Sequence, residues 1–433
     1  MTVSGWTSIP TNVDDSDPDL DVKLARRPVA VPPLPYLERY RNEGTRTYSV
    51  HAAYTECRPE YQPTIGATEF DLPVWELPRD AMRVYRADPP AELEARYLPD
   101  ERVLFAVHPQ VLRDDPEDPW LVRTSTLGRP LPPLRVSPGS STRTLFTVGQ
   151  RCPHALKVHF PFRVSRYGRR MRDEVVEQAV VVSGEVQAWC GGGDASFAFL
   201  REVIGVAHPR TESDGTRGEN WGYLVRDLRP FPHATVERRL VPGFALYGRD
   251  RFDPALDPLI VELADPADPL GWTLDHVMLP VVRHWIRCYR ELGFILEPHG
   301  QNVLLEIDEA GAVQRLVHRD LSVGIDMRRR RDLGLADGAL NAYNRYEDGA
   351  FASIAYDRFV GGHFFGYLAG VLMERNPRLS MEDFRRPCQE EFGRLFEDHE
   401  GYLPRSVHYF SEERDAHGKP LYRDTGERPA WRP

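Results

Sequence analysis

Glu297-Pro-His299-Gly-Gln301-Asn302 leads into Val303-Leu-Leu-Glu-Ile307, a turn Asp308-Glu-Ala-Gly311, a second apolar run Val313-Gln-Arg-Leu-Val317, and then His318-Arg319-Asp320. Two short runs rich in Val, Leu and Ile around an Asp/Gly-containing turn are the pattern of a β-hairpin. Folding them back antiparallel sets Asn302 near His318 and His299 near Asp320. An imidazole, a carboxamide and a carboxylate then converge at the open end. Such a group can orient an anion and hold a hard cation, because Mg²⁺ takes oxygen ligands from one or two carboxylates and from substrate phosphates.

Working back towards the N-terminus, the segment Leu274–Leu292 carries Val277, Val281, Trp285 and Tyr289 on one face and stops at Gly293. It reads as a helix, bent at Pro280, that delivers the chain into the hairpin. Further back, Ser137-Pro-Gly139-Ser140-Ser141-Thr142-Arg143-Thr144 enters the strand Leu145–Val148. Small hydroxylic residues and glycine let backbone N–H groups face an anion, and Arg143 adds a planar fork suited to phosphate. Leu156 to Ser165 alternates apolar and polar residues, which predicts one strand with Lys157 and Ser165 on its polar face and an edge or bulge at Pro161. Arg166, Arg169, Arg170 and Arg172 follow and lead into a helix around Asp173–Val182. Gly191–Gly193 lacks a following G-K-[ST] and any G-x-G-x-x-G frame, so it reads as a turn. Trp221–Val225 and Arg102–Val107 read as strands.

On the C-terminal side, Arg328–Arg331 reads as a solvated face. Residues 338–374 and 380–398 read as helices with Phe351, Ile354, Phe359, Phe364, Phe365, Leu368 and Val371 in the core. The tail from His408 to Pro433 is polar, with Lys419 and Arg423 either capping a site or disordered. At the other end, Asp14, Asp15, Asp17 and Asp19 followed by Pro28, Pro32, Pro33 and Pro35 describe a flexible arm.

The chain has 433 residues, enough for two or three modules at about 100–200 residues each. The expected division is a flexible arm (1–37), a shortened N-terminal module (38–135), a nucleotide- and acid-binding module (136–270) and a palm-like module with the hairpin and the C-terminal helices (271–433). The net charge of −10 and scattered basic residues argue against a nucleic-acid partner. Cys57, Cys152, Cys190, Cys288 and Cys388 are odd in number and form no C-x-x-C pair, which indicates neither a zinc site nor a disulfide framework. No apolar run approaches the roughly 20 residues a membrane span needs. A cytoplasmic protein without membrane association is expected. Val317-His318-Arg319-Asp320-Leu321 imitates the protein-kinase catalytic loop, but Ile325 stands where that motif needs asparagine, and neither a glycine-rich loop with its lysine nor D-F-G accompanies it.

Four features in order resemble the nucleotide-dependent siderophore synthetases of the aerobactin-synthetase (IucA/IucC) type. They are the loop Ser141-Thr142-Arg143-Thr144, the trio Lys157, Ser165 and Arg169, the helix running into Glu297-Pro-His-Gly-Gln-Asn302, and Arg319-Asp320 closing the hairpin. The resemblance covers residues 100 to 375. It implies an α+β fold shaped like a cupped hand, with antiparallel sheets, a helical C-terminal region and, in this chain, a shortened N-terminal part. It further implies adenylation of a carboxylic acid, citrate-like or dicarboxylic, with ATP and Mg²⁺, and condensation with an amine or hydroxyl in siderophore or related specialised metabolism.

Carried over by position, Ser141, Arg143, Thr144 and Lys157 would bind ATP, and Glu297, Asn302 and Asp320 would hold Mg²⁺. Ser165, Arg169, His299 and Gln301 would bind the acid, and Lys157, Arg169 and His299 form the expected catalytic set. The partners implied are the small-molecule acid and its nucleophile, and a homodimer is compatible with this reading. The family's N-terminal His-Pro-x-His-Pro motif is absent, residues 1–100 containing only His51. That departure motivates an alternative: an altered or inactive relative that binds nucleotide or a partner without turnover. Ser165 replaces the family's usual threonine and keeps the hydroxyl.

Overall fold

The computed structural model describes residues 31–42, 56–164, 167–190, 196–209, 221–236, 238–335, 344–414 and 420–433, of which the side chains of 167–169, 414 and 420 are not described. The fold is α+β, as expected. Its largest element is an eight-stranded antiparallel sheet in the order Arg83–Arg86, Glu202–Ala207, Gly222–Asp227, His154–Val158, Thr144–Thr147, Arg129–Pro138, Phe70–Pro78, Arg102–Ala106. This sheet draws strands from both sides of residue 136, so the segments 38–135 and 136–270 share one hydrogen-bonded framework.

Side chains alternate between the two faces of a strand, and the two faces of this sheet differ. Leu145, Leu156, Val225 and Ile204 line an apolar core together with Leu72, Val74, Phe105 and Tyr223. On the opposite face, Leu224 packs under the helix Asp173–Cys190 through Val176, Ala179 and Val180. Two glycines make that approach close. A Cβ on Gly205 would come within 2.5 Å of Val176, and one on Gly222 within 2.8 Å of the same side chain. Thr144 is paired with Lys157, and Lys157 with Leu224, so the face that meets the helix also carries the lysine.

The expected hairpin is present as Val303–Ile307 and Val313–His318, the two central strands of a four-stranded sheet flanked by Arg239–Pro242 and, in parallel, Phe197–Phe199. Its register pairs Val303 with His318, and the Arg319 N–H donates to the Asn302 carbonyl at 3.0 Å. The helix that feeds it starts earlier than expected, at Pro269–Thr273, passes through a π-helical stretch, Leu274–Met278, and continues as Leu279–Leu292. It ends at Gly293, whose φ of +68° is open to glycine at little cost.

Several expectations change on folding. The alternating run Leu156–Ser165 is not one strand: His154–Val158 belongs to the large sheet, and Phe160–Val164 forms a separate hairpin with Tyr167–Arg169. The break falls at His159, just before Pro161, whose missing N–H cannot serve a ladder. The polar and apolar alternation runs through the break, which hides it. Lys157 therefore lies in a different strand from Phe160–Val164; Ser165, expected on the same face as Lys157, lies outside the described residues, as does Gly191–Gly193.

Arg328–Arg331 is a solvated face only at Arg331, which is exposed and pairs with Glu347. Arg330 is buried, donates to the Leu292 carbonyl at 2.9 Å and pairs with Glu185 at 3.1 Å, while Arg328 pairs with Asp326 at 2.9 Å. The helix expected over 338–374 begins at Ala350 and runs to Arg375 with a π-helical middle, Ile354–Phe365. The C-terminal tail is packed: His408–Arg414 pairs with Pro420–Asp424, and Trp431 and Arg432 are buried. Lys419 lies outside the described residues. Near the N-terminus, a helix Leu34–Tyr40 crosses the boundary expected at 37/38 and buries Leu37, Glu38 and Arg39.

Candidate active site

Lys157 is the inward residue of a central strand, and Asp320 follows the second hairpin strand. Their side chains meet with Nζ 2.5 Å from Oδ1. The lysine is buried and the aspartate stays about one-third open. Burial by itself would raise the Asp320 pKa, but Lys157, then Arg226 and Arg143, overcome it and hold the carboxyl far below the usual range. Burial, with Arg143 and Arg226, pushes the Lys157 ammonium down, opposed by Asp320. Arg226, two residues on from the strand partner of Lys157, donates to the buried Glu202 with Nε at 2.9 Å. The site thus sets three cationic side chains, Lys157, Arg143 and Arg226, against two carboxylates, Asp320 and Glu202, which leaves a small excess of positive charge.

The loop before Thr144 is docked on the hairpin end. Gln301 Nε2 donates to Ser140 Oγ at 2.9 Å, and Ser141 Oγ donates to Thr144 Oγ1 at 2.9 Å. Arg143 reaches back to the Met171 sulfur at 3.1 Å and remains half-buried. Thr142 has φ +62° and Asp320 φ +68°, and a β-branched residue in the left-handed region costs enough that its surroundings must impose it.

At the other side, Glu297 to Asn302 is a compact turn rather than an extension of the strand. The Glu297 carbonyl accepts from the His299 N–H at 2.9 Å and from Asn302 Nδ2 at 3.2 Å, and the His299 carbonyl accepts from the Asn302 N–H at 2.9 Å. The Gly300 carbonyl takes the Phe244 N–H at 2.8 Å, and a Cβ there would lie 2.4 Å from the Tyr247 hydroxyl, so any side chain would have to displace that ring. His299 is buried, with Nδ1 accepting from the Gln301 N–H at 3.2 Å and its ring edge-on to Phe359 at 5.8 Å.

Of the residues expected from the sequence, Lys157 and Asp320 touch directly. Ser141, Arg143 and Thr144 join them through the docked loop, as do Gln301 and Asn302 through the turn. Ser165 and the Arg169 side chain are not described, though the backbone of Arg169 pairs with Phe160. His318 is not at the open end. It faces the core, 3.1 Å from the ring nitrogen of His284 and stacked on Phe197, and burial pushes both histidines towards the neutral form.

Mg²⁺ fits the donor chemistry of Asp320 and Asn302, a carboxylate and a carboxamide, better than it fits a closed cage. Among the described residues no cluster of three His, Cys, Asp or Glu side chains could hold a metal, and Mg²⁺ is ordinarily held by one or two carboxylates with substrate phosphates completing its shell. Sequence reasoning missed Glu38, Ser140, Arg226 and Glu202. Arg226 has a readable signal, a charge at an inward position of an apolar strand. Glu38 has none, because its partners are distant in sequence.

A sequence profile described as ferric iron reductase FhuF-like transporter matches residues 270–384, which contain the feeding helix and the hairpin. No curated protein sequence matches the chain. Among the described residues no helix is long and apolar enough to cross a membrane. Three solved structures share the architecture. Aerobactin synthetase IucC from a hypervirulent pathotype of Klebsiella pneumoniae aligns over 86% of this chain and 71% of its own, at 13% identity and TM-score 0.64. Petrobactin biosynthesis protein AsbB from Bacillus anthracis str. Sterne aligns over 92% and 75%, at 16% identity and TM-score 0.64. ATP-bound aerobactin synthetase IucA from the same Klebsiella pathotype aligns over 86% and 71%, at 13% identity and TM-score 0.59. The chain has the fold of the siderophore synthetases, shared with the aerobactin synthetases and the petrobactin biosynthesis protein.

Proposed function

We propose that this protein is an ATP- and Mg²⁺-dependent ligase that joins a citrate-like or dicarboxylic acid to an amine or hydroxyl through an acyl-adenylate, in siderophore or related specialised metabolism. The observation that carries the reading is the Lys157–Asp320 contact. Two positions that the family pattern assigns to one nucleotide site, 163 residues apart, meet at 2.5 Å.

The acid's carboxylate attacks the α-phosphorus of ATP, the bond to the β-phosphate bridge breaks, and pyrophosphate leaves. The nucleophile then attacks the acyl carbon, loses its proton and displaces AMP. Both partners of the first step are anionic, so preorganised positive charge is the largest contribution the protein can make. Lys157, Arg143 and the hydroxyls of Ser141 and Thr144 would hold the phosphates. Asp320 and Asn302, with Glu297, would hold Mg²⁺, which when bound neutralises phosphate charge. Gln301 and His299, with Ser165 and Arg169, would seat the acid.

An acid seated by Arg169 at one end and presented to phosphorus at the other needs two anionic or hydroxyl-bearing ends. We therefore expect citrate-like or dicarboxylic acids to be preferred over simple monocarboxylates by about a hundredfold in kcat/KM, roughly 2.7 kcal/mol. Arg169→Ala should remove most of the preference, and Arg169→Lys should restore part of it because the planar fork is lost. Pyrophosphate release over a panel of acids, with hydroxylamine as trap, is the test. Acetate-like acids turning over as fast as dicarboxylates would refute the acid assignment. ATP binding without pyrophosphate release from any acid would favour the non-turnover alternative.

A further inference from the structure

We propose that Glu38 is a positioning residue that sets the phosphate-facing loop against the hairpin end, so that a short N-terminal helix governs the geometry of the nucleotide site. This rests on the ligase reading for its kinetic consequence, but the positioning itself is carried by the hydrogen bonds.

The Glu38 carboxylate is 2% exposed. One oxygen accepts from the Ser140 N–H at 2.9 Å and from Ser140 Oγ at 2.5 Å, and the other accepts from Arg319 Nη2 at 2.5 Å. Arg319 also donates through Nε to the Gln301 carbonyl at 2.7 Å, and Gln301 Nε2 returns to Ser140 Oγ at 2.9 Å. The bonds close a ring: Glu38, Ser140, Gln301, Arg319. A buried carboxylate needs several donors to be tolerated, and here the donors come from the two segments that must be held in register.

The two strained residues of the site lie next to this ring. Thr142 is two residues beyond Ser140 and Asp320 is one beyond Arg319, both with positive φ. Strained backbone persists only where the surroundings over-determine it, and the ring grips the chain beside each of them. Glu38 can act as a fixed point because its helix is anchored on three sides. Arg39 donates to the Pro63, Thr68 and Gly66 carbonyls at 2.8, 2.6 and 3.2 Å. Tyr36 and Arg41 both bond to Asp250, at 3.0 and 3.3 Å, and Leu37 is in the main core.

The test combines amide hydrogen exchange with steady-state kinetics on the full chain. In Glu38→Gln the volume is kept, but an amide NH₂ must face either the Arg319 guanidinium or the Ser140 donors. Glu38→Asp keeps the charge and is too short to reach both partners. We expect Glu38→Gln to speed exchange of the amides at 140–144 and 319–320 at least tenfold, with strand Gly222–Asp227 as protected as in the wild type. The KM for ATP should rise at least tenfold with kcat within about threefold, since Lys157 and its charge stay in place and only the loop's contacts to the non-reacting phosphates, made alike in ground and transition states, are loosened. Glu38→Asp should recover part of both effects. Protection at Ser140 within twofold of wild type in a folded Glu38→Gln protein would overturn the positioning role. A wild-type protein that neither binds nor consumes ATP would overturn the ligase reading instead, and the exchange result would still decide whether Glu38 sets the loop.

Discussion

At the scale of single residues, the site balances charges rather than collecting them. Lys157 is buried among Arg226 and Arg143, and Asp320 is what makes its ammonium tolerable. Asp320→Asn should therefore do two separable things. On the proposed function, metal-dependent turnover should fall sharply, because the carboxylate that would be offered to Mg²⁺ is gone; wild-type rates across a magnesium titration would exclude Asp320 as a ligand. The fold should also lose about 1–3 kcal/mol, less than a fully buried pair would, because Asp320 is one-third open to screening water. Lys157→Met in the same background should return part of that loss in urea titrations. The pH dependence follows from the lowered carboxyl: the unfolded chain binds the proton first, so the stabilisation is present above about pH 4 and is lost as the pH falls towards the folded value. The stability gap between wild type and Asp320→Asn should shrink on acidification in that direction.

At the scale of elements, the helix Asp173–Cys190 sits on the large sheet only because Gly205 and Gly222 leave room beneath Val176. Gly205→Ala would set a methyl 2.5 Å from the Val176 Cγ1 and 3.1 Å from the Val180 Cγ2. The expected cost is about 1–3 kcal/mol, the usual penalty for overpacking a tight contact, seen as a lower urea midpoint with unchanged slope. The hairpin was legible in the sequence because its turn chemistry, its β-branched runs and its pairing are all local. So was the helix that ends at Gly293, whose stop signal is a single residue. The split of Leu156–Ser165 between two sheets was not legible, because alternation reports which face a residue takes and not which sheet the strand joins. Arg330 was misread for a related reason: a run of four arginines looks solvated until Glu185 and the Leu292 carbonyl are brought to it from elsewhere. The site followed the same rule. Lys157, Arg143 and Asp320 lie in recognisable segments, whereas Glu38 acquires its partners only from tertiary folding.

At the scale of the whole molecule, the two ends of the described chain lock parts that are remote in sequence. The helix Leu34–Tyr40 ties the loop beside the large sheet to the end of the hairpin through Glu38, Ser140 and Arg319. The C-terminal residues close the helical side, where Trp431 packs on Gly361 with no room for a side chain, since a Cβ there would lie 2.2 Å from the indole. Arg432 grips Asp357 with both Nε and Nη2, at 3.0 Å each, and donates to the Pro404 carbonyl at 2.7 Å. The Asp357–Arg432 pair behaves oppositely to the Lys157–Asp320 pair. Burial raises the Asp357 pKa, and Arg432 and Ser353 offset only part of that rise. A raised folded value means that the native state takes up the proton first, so this carboxylate costs stability at neutral pH and the cost is relieved as the pH falls. Arg432→Met should leave Asp357 buried without its partner and cost about 3–5 kcal/mol near pH 8. The deficit should narrow as the pH is lowered towards 5, because protonation removes the unpaired charge. The double variant Asp357→Asn with Arg432→Met should be less destabilised than Arg432→Met alone and nearly independent of pH over the same interval. Thermal unfolding of the three proteins across that interval checks this; a pH-independent deficit in Arg432→Met would mean that the tail is held by Trp431 packing and that the ion pair adds nothing.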